Sequence, residues 1–223
     1  VFESAGKKPG FMIGGIAENF GSSCHDGAGD IFITEGDEYD TAFFDKRSKF
    51  LHYHPDQLIL NNLEFDHADI FDSLADIKKS FRQMLRLIPQ NGVIAANGDD
   101  DNVQDVLKSA YSPVINFGLE EACDVRAVKI EASESGTNFV VHNKTQKNYP
   151  YSQKFTLKLS GTYNVLNALG VIALARHNGV SDIKIQAAFD SFKSVSRRQE
   201  FRGEVNGITV YDDFAHHPTA IRE

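Results

Sequence analysis

From Gln57 to Phe117, short and almost unbroken apolar runs alternate with segments of helical period, and no other feature of the sequence narrows the fold as much. Gln57-Leu58-Ile59-Leu60-Asn61, Gly92-Val93-Ile94-Ala95-Ala96 and Pro113-Val114-Ile115-Asn116-Phe117 read as strands. Runs this short and this apolar suit strands covered on both faces. Between the first two, Leu74, Ile77, Phe81, Leu85 and Ile88 repeat at helical spacing and predict a helix over Ser73 to Ile88. Ser73 and Asp76 form a capping box at its start, and Pro89-Gln90-Asn91-Gly92 stops it. A second helix is expected over Asp101 to Ala110. Upstream, Phe11-Met12-Ile13, ending at Gly14-Gly15, and Asp30-Ile31-Phe32-Ile33-Thr34 read as further buried strands. Strand, helix, strand in this rhythm means an α/β fold with a mainly parallel central sheet flanked by helices.

From Val125 to Leu159 the period shifts to two, which predicts an antiparallel patch added to that sheet. Helices follow at about Tyr163–His177 and Asp182–Phe192, with Gly179 as a helix stop. The chain turns polar at Ser194-Val195-Ser196-Arg197-Arg198. Beyond it, Asn206-Gly207 between two alternating runs is a hairpin signal. A boundary near Ser194 divides residues 1–193, one domain, from 194–223, the opening of another. The chain starts on Val1 and closes on what reads as a beginning helix, so both ends read as cuts through a longer polypeptide. A length of 223 residues suits one large domain, or one domain plus a piece of another.

Lys and Arg total 23 against 31 Asp and Glu, a formal charge of −8. With no basic run, nucleic acid is an unsuitable partner. No apolar run reaches the roughly 18–20 residues of a membrane span, and no leader pattern opens the chain, which points to no membrane partner and a cytoplasmic location. Cys24 and Cys123 are far apart and read as two reduced thiols.

Four clusters carry candidate chemistry. Glu35, Asp37, Glu38 and Asp40 crowd the end of an apolar strand, where open α/β sheets bind ligands. Like charges so close call for a compensating cation, and hard oxygen donors suit Mg²⁺; the alternative is a solvated acidic loop. Asn61-Asn62-Leu63-Glu64-Phe65-Asp66-His67-Ala68-Asp69 places a second polar cluster after another strand, so that two acidic strand tips of one sheet would face each other across a crevice. Gly161-Thr162-Tyr163-Asn164-Val165-Leu166-Asn167 opens a helix, with Asn164 and Asn167 on one face. An Asn amide can bond bidentately to an adenine edge, although capping or packing roles fit the same spacing. Tyr211-Asp212-Asp213-Phe214-Ala215-His216-His217-Pro218 could hold a ribose, a metal or a phosphate, with Arg197 and Arg198 upstream as fork donors for phosphate; a hinge of solvated charge is the alternative. His52-Tyr53-His54 reads as a surface strand. Gly6-Lys7-Lys8 lacks the rest of a phosphate loop, and there is no GxGxxG.

Taken in order, Gly14-Gly15, Asn19, Glu35-Gly36-Asp37-Glu38-Tyr39-Asp40, Asp66-His67, Asn164-Val165-Leu166-Asn167 and Asp212-Asp213-Phe214-Ala215-His216-His217-Pro218 resemble the Mur ligase family over nearly the whole chain. Thr41 to Phe50 and Asn61 to Phe71 resemble the branch that joins the tripeptide L-Ala-γ-D-Glu-meso-diaminopimelate to UDP-N-acetylmuramate in peptidoglycan recycling. They are less similar to the branch that adds L-alanine. A non-catalytic nucleotide-binding module of the same fold is a third reading.

The resemblance implies ATP and Mg²⁺ as cofactors and an acyl-phosphate intermediate on the lactyl carboxylate. It implies Glu35 and His67 as metal ligands, Asn167 as the adenine contact with Asn164 and Tyr163 beside it, Arg198 near the phosphates, and Asp213 and His216 near the ribose. Glu35, His67 and Arg198 would be the catalytic set. Three departures stand out. The family's phosphate loop would lie upstream of Val1, which predicts that these 223 residues alone are inactive. Phe81 stands where some members carry a carbamoylated lysine, and Tyr163 stands where the family usually has His.

Overall fold

The computed structural model describes residues 1–65, 70–133, 136–144, 151–215 and 218–222. Its centre is a six-stranded sheet made of β6 (Gln57–Leu60), β7 (Val93–Asn97), β8 (Val114–Gly118), β9 (Val125–Ser133), β10 (Gly136–Asn143) and β11 (Tyr151–Leu157), lying side by side in chain order. The first four pair in parallel, and β9, β10 and β11 pair antiparallel. The α/β class and the added antiparallel patch are both as the sequence implies. A parallel crossover ordinarily needs a dozen residues. The link from β8 to β9 is far shorter because β9 overlaps only the last two residues of β8, Phe117 and Gly118. Asp124 pins that step: its carboxylate accepts from the Asn116 amide at 2.9 Å, and its own amide donates to the Asn116 carbonyl at 2.8 Å.

Helices cover both faces. On one side α1 (Leu74–Leu85) and α2 (Asp101–Leu107) enclose Ile77, Leu85, Ile94, Val103 and Val106. Ser73 Oγ accepts from the Asp76 amide at 3.4 Å and donates to its carboxylate at 2.6 Å, so the cap read from the sequence is formed. On the other side α3 (Thr162–His177) and α4 (Asp182–Ser191) pack over Phe117, Phe139 and Phe155. Each of those rings is essentially fully buried, and burying a side chain of that size is worth roughly 2–3 kcal/mol. Every residue of β7 is buried, as a central strand requires. Arg176 and Asp182 join α3 to α4 through two hydrogen bonds of 2.8 and 3.0 Å. At the sheet edge, Gln186 of α4 accepts from the Thr156 amide and donates to the Thr156 carbonyl, both at 3.0 Å. A side-chain amide thus occupies backbone groups that an edge strand would otherwise leave open.

Two expectations fail here. β1 (Gly10–Ala17) and β3 (Phe32–Thr34) do not join the central sheet. With β2 (Ser22–His25) they form a separate three-stranded sheet in the order β2-β1-β3. Nor are they covered on both faces, since Met12, Phe32 and Ile33 remain 47%, 61% and 42% exposed. Apolar content marks a strand, but it does not say which sheet the strand enters. His52-Tyr53-His54 is no strand either. Lys49–His52 forms a 3₁₀ turn behind the hairpin of β4 (Asp40–Ala42) and β5 (Asp45–Ser48), with His52 Nε2 3.2 Å from the Asp45 carboxylate.

Beyond α4 residues 194–196 run along β1. Ala17 bridges Val195, Glu18 N donates to Ser194 O, and Ser196 N donates to Ile16 O. The hairpin of β12 (Glu200–Val205) and β13 (Ile208–Asp212) follows, then α5 (Pro218–Arg222). Asn206 and Gly207 both have positive φ, 53° and 76°, as a two-residue turn between twisted strands demands. Among the described residues no helix is long and apolar enough to cross a membrane.

Candidate functional site

A cavity of about 1000 Å³ opens where the ends of β6 and β7 meet the first turns of α3. Position beyond the carboxyl ends of parallel strands is the usual ligand crevice of an open α/β sheet. Asn61, Asn62 and Glu64 enter it from the loop after β6, and Asn97 from the end of β7. Tyr163, Asn164 and Asn167 enter from α3, Arg198 and Gln199 from the segment between α4 and β12, and Asp213 and Thr219 from beyond the hairpin. Leu157, Leu159, Val171 and Phe189 supply an apolar floor. An apolar chamber ringed by a few polar groups suits a flat heterocycle with polar substituents.

Hydrogen bonds stitch the rim. Asn61 Nδ2 donates to Asn167 Oδ1 at 2.9 Å. Gln199 Nε2 donates to the Tyr163 hydroxyl at 3.1 Å, and the Gln199 amide donates to Asp213 Oδ2 at 2.9 Å. Thr219 Oγ1 donates to Glu64 Oε2 at 2.8 Å. Asn164 Nδ2 donates to the Ser160 carbonyl at 2.7 Å, which ties down the approach to α3.

The two arginines between α4 and β12 part company. Arg197 stacks 5.1 Å from the Phe214 ring centroid and lies 3.6 Å from Asp212. Arg198 lines the cavity and makes no hydrogen bond or ion pair among the described residues. It is therefore a cation available to an anionic ligand. The aspartates part in the same way. Asp212 is held below the usual carboxylate range by a hydrogen bond from Arg202, aided by Arg197. Asp213 faces the cavity while accepting from Gln199 and Ala215.

Of the site residues read from the sequence, Tyr163, Asn164, Asn167, Arg198 and Asp213 converge on this one chamber. His67 and His216 lie outside the described residues, as do Asp66, Asp69 and His217. Glu35 is described but is not a wall of the cavity. It is exposed at the end of β3, with its carboxylate against Gly14 of β1: a Cβ at Gly14 would sit 2.5 Å from Glu35 Oε1. The expected repulsion among four carboxylates is relieved by protein cations. Lys49 lies 3.1 Å from Asp37 and Lys46 2.6 Å from Asp40. Because β3 and β6 belong to different sheets, their tips are not neighbours in one sheet as the sequence suggests. Among the described residues no group of three or more His, Cys, Asp and Glu is arranged to hold a metal ion. The bonds made by Asn61, Gln199 and Thr219 carry no signal in the sequence, because each depends on a partner distant in the chain. Cys123 is buried, which pushes its thiol up to about 12 with help from Asp99, while Cys24 is exposed.

A mainly parallel sheet with an antiparallel extension and a chamber at its strand ends describe an α/β domain with the ligand crevice of an open sheet. The chain belongs to the Mur ligase family: the family model for the Mur ligase middle domain matches residues 21–175. It is 46% identical over 222 residues to the UDP-N-acetylmuramate–L-alanyl-γ-D-glutamyl-meso-2,6-diaminoheptandioate ligase of Escherichia coli strain K12, covering 99% of this chain and 47% of that protein. It is 36% identical over 220 residues to the UDP-N-acetylmuramate–L-alanine ligase of Desulfitobacterium hafniense strain Y51, covering 98% of this chain and 46% of that protein. Among solved structures, the murein peptide ligase of Psychrobacter arcticus 273-4 superimposes with a TM-score of 0.79 at 38% identity, covering 99% of this chain and 48% of the other. The chain thus spans about half the length of the relatives it matches.

Proposed function

We propose that the chain is the nucleotide-binding centre of an ATP-dependent ligase that joins the tripeptide L-Ala-γ-D-Glu-meso-diaminopimelate to UDP-N-acetylmuramate. The observation that carries this reading is the 46% identity to a ligase of that name, ten points above the 36% to an L-alanine ligase. In this reading residues 1–193 are the ATP-binding domain and 194–223 open the domain that brings the amine, in a cytoplasmic enzyme.

The chemistry is the one the family resemblance implies. ATP phosphorylates the lactyl carboxylate of UDP-N-acetylmuramate, and the α-amine of the tripeptide displaces phosphate from the acyl phosphate. Phosphoryl transfer asks a protein for positioning and charge neutralisation more than for covalent help. Asn167, beside Asn164 and Tyr163, holds the adenine over the apolar floor. Asp213, with His216, meets the ribose, and Arg198 meets the phosphates. Mg²⁺ binds through one or two carboxylates and the phosphates of its nucleotide, keeping several waters. Glu35, exposed and without a hydrogen bond or ion pair to its carboxylate among the described residues, fits that demand, with His67 as its companion ligand. The metal supplies neutralisation of charge on the transferring oxygens.

The test uses the full-length polypeptide with UDP-N-acetylmuramate, ATP and MgCl₂, offered either tripeptide or free L-alanine, with phosphate release and product mass as readouts. Tripeptide product is expected, with little or none from L-alanine. A faster reaction with L-alanine overturns the assignment of acceptor, and no ATP turnover with either overturns the reading as a ligase.

A further inference from the structure

Asn61 stands first after β6. Its side chain reaches across the cavity mouth to Asn167, 106 positions later, with Nδ2 donating to Asn167 Oδ1 at 2.9 Å. Its own Oδ1 is buried and meets no hydrogen-bond partner among the described residues. These two facts fix the direction of the pair. Turned the other way, Asn61 would place an NH₂ group in that buried spot, with protons to satisfy and no acceptor. A buried donor left unmet is rarer than an under-used carbonyl, which keeps a second lone pair in any case.

The direction matters for what Asn167 shows to the cavity. One lone pair of its Oδ1 is taken by Asn61, and the other remains. Its Nδ2 is left as the donor. A carbonyl lone pair beside an N–H donor complements the N6-amino and N7 edge of adenine. It does not complement guanine, whose O6 would meet the Asn167 carbonyl oxygen to oxygen. We infer that Asn61 is a positioning residue that locks the Asn167 amide in the adenine-reading orientation, so that the pair sets base selectivity. The inference rests on the reading of this cavity as the nucleotide site. Asn167 alone, free to turn by half a revolution, would spend part of its time with its NH₂ against the adenine amino group and its carbonyl against N7, losing both adenine bonds while offering guanine O6 a single donor.

The experiment measures ATP and GTP affinity calorimetrically in the full-length polypeptide, for the unaltered protein and for Asn61→Leu. The variant keeps the side chain's bulk and removes its donor. ATP binding should weaken roughly tenfold, the scale of one hydrogen bond's net worth, while GTP binding holds or improves, so the ATP-to-GTP ratio collapses. In a double-mutant cycle, Asn61→Leu should add little to Asn167→Ala, because the two act as one unit. Asn61→Asp provides the same test should the leucine variant not fold. Its carboxylate accepts from Asn167 Nδ2 and turns the amide round, and the ratio should again drop. Parallel loss of ATP and GTP affinity, or an unchanged ratio, overturns the inference and leaves the nucleotide reading standing. An unaltered protein that binds neither nucleotide overturns both.

Discussion

Glu35 and Asp37 stand two positions apart and meet different fates. Asp37 accepts from the Tyr39 amide at 2.8 Å and from Lys49 at 3.1 Å, so its charge is spent inside the protein. Lys49 is held above its ordinary range by that same hydrogen bond. Glu35 keeps its carboxylate uncommitted among the described residues, against a glycine that leaves room for it. Composition cannot separate the two, because the difference is made by a lysine twelve positions on. On the proposed ligase reading, Glu35→Gln in the full-length polypeptide should raise the Mg²⁺ concentration for half-maximal rate roughly tenfold or more, given that even outer-sphere partners of a metal act on that scale. Asp37→Asn should leave that midpoint in place. Initial rates over a MgCl₂ series decide it, and superimposable curves for Glu35→Gln and the unaltered enzyme would remove Glu35 from the metal site.

Among the elements, the joint between α3 and α4 is held by an ion pair whose side chains are only 7% and 11% exposed. Arg176 also lies 5.7 Å over the Phe155 ring. Removing one member of such a pair strands the other charge. Arg176→Ala should therefore cost about 3–5 kcal/mol in urea unfolding. An apolar replacement of both, Arg176→Met with Asp182→Leu, should cost much less. Equal losses for the single and double variants would show that packing, not stranded charge, sets the cost. The helices themselves are legible in the sequence because their signals are local: Ser73 caps α1 within one turn, and Asn206-Gly207 closes its hairpin over two residues. The placement of β1 and β3 is not legible, since pairing in a particular sheet is a choice among distant partners that no apolar run encodes. The same holds for the site. Asn167 and Arg198 stand out by residue type, whereas Asn61 acquires its role only when the fold brings β6 beside α3.

At the scale of the whole molecule, the cavity takes its walls from both sides of residue 194. On the proposed reading, a nucleotide lodged there would touch the sheet, the segment between α4 and β12 and the segment after the hairpin at once. Arg197 and Arg198 are exposed between α4 and β12 and are sites for trypsin. Saturating a non-hydrolysable ATP analogue should slow cleavage after these two residues in the full-length protein, while cleavage after the exposed Arg47 in the β4–β5 hairpin keeps its rate. Digestion followed by mass spectrometry reads both cuts, and equal protection at both would signal general tightening in place of a ligand seated beside Arg197 and Arg198.

The side-by-side order of β6 to β11 has a bearing on biogenesis. Each strand of that sheet joins the one made just before it, and none has to be threaded between two already paired. As the polypeptide leaves the ribosome the sheet can therefore lengthen one strand at a time from β6 onward, and the newest strand always finds its template waiting.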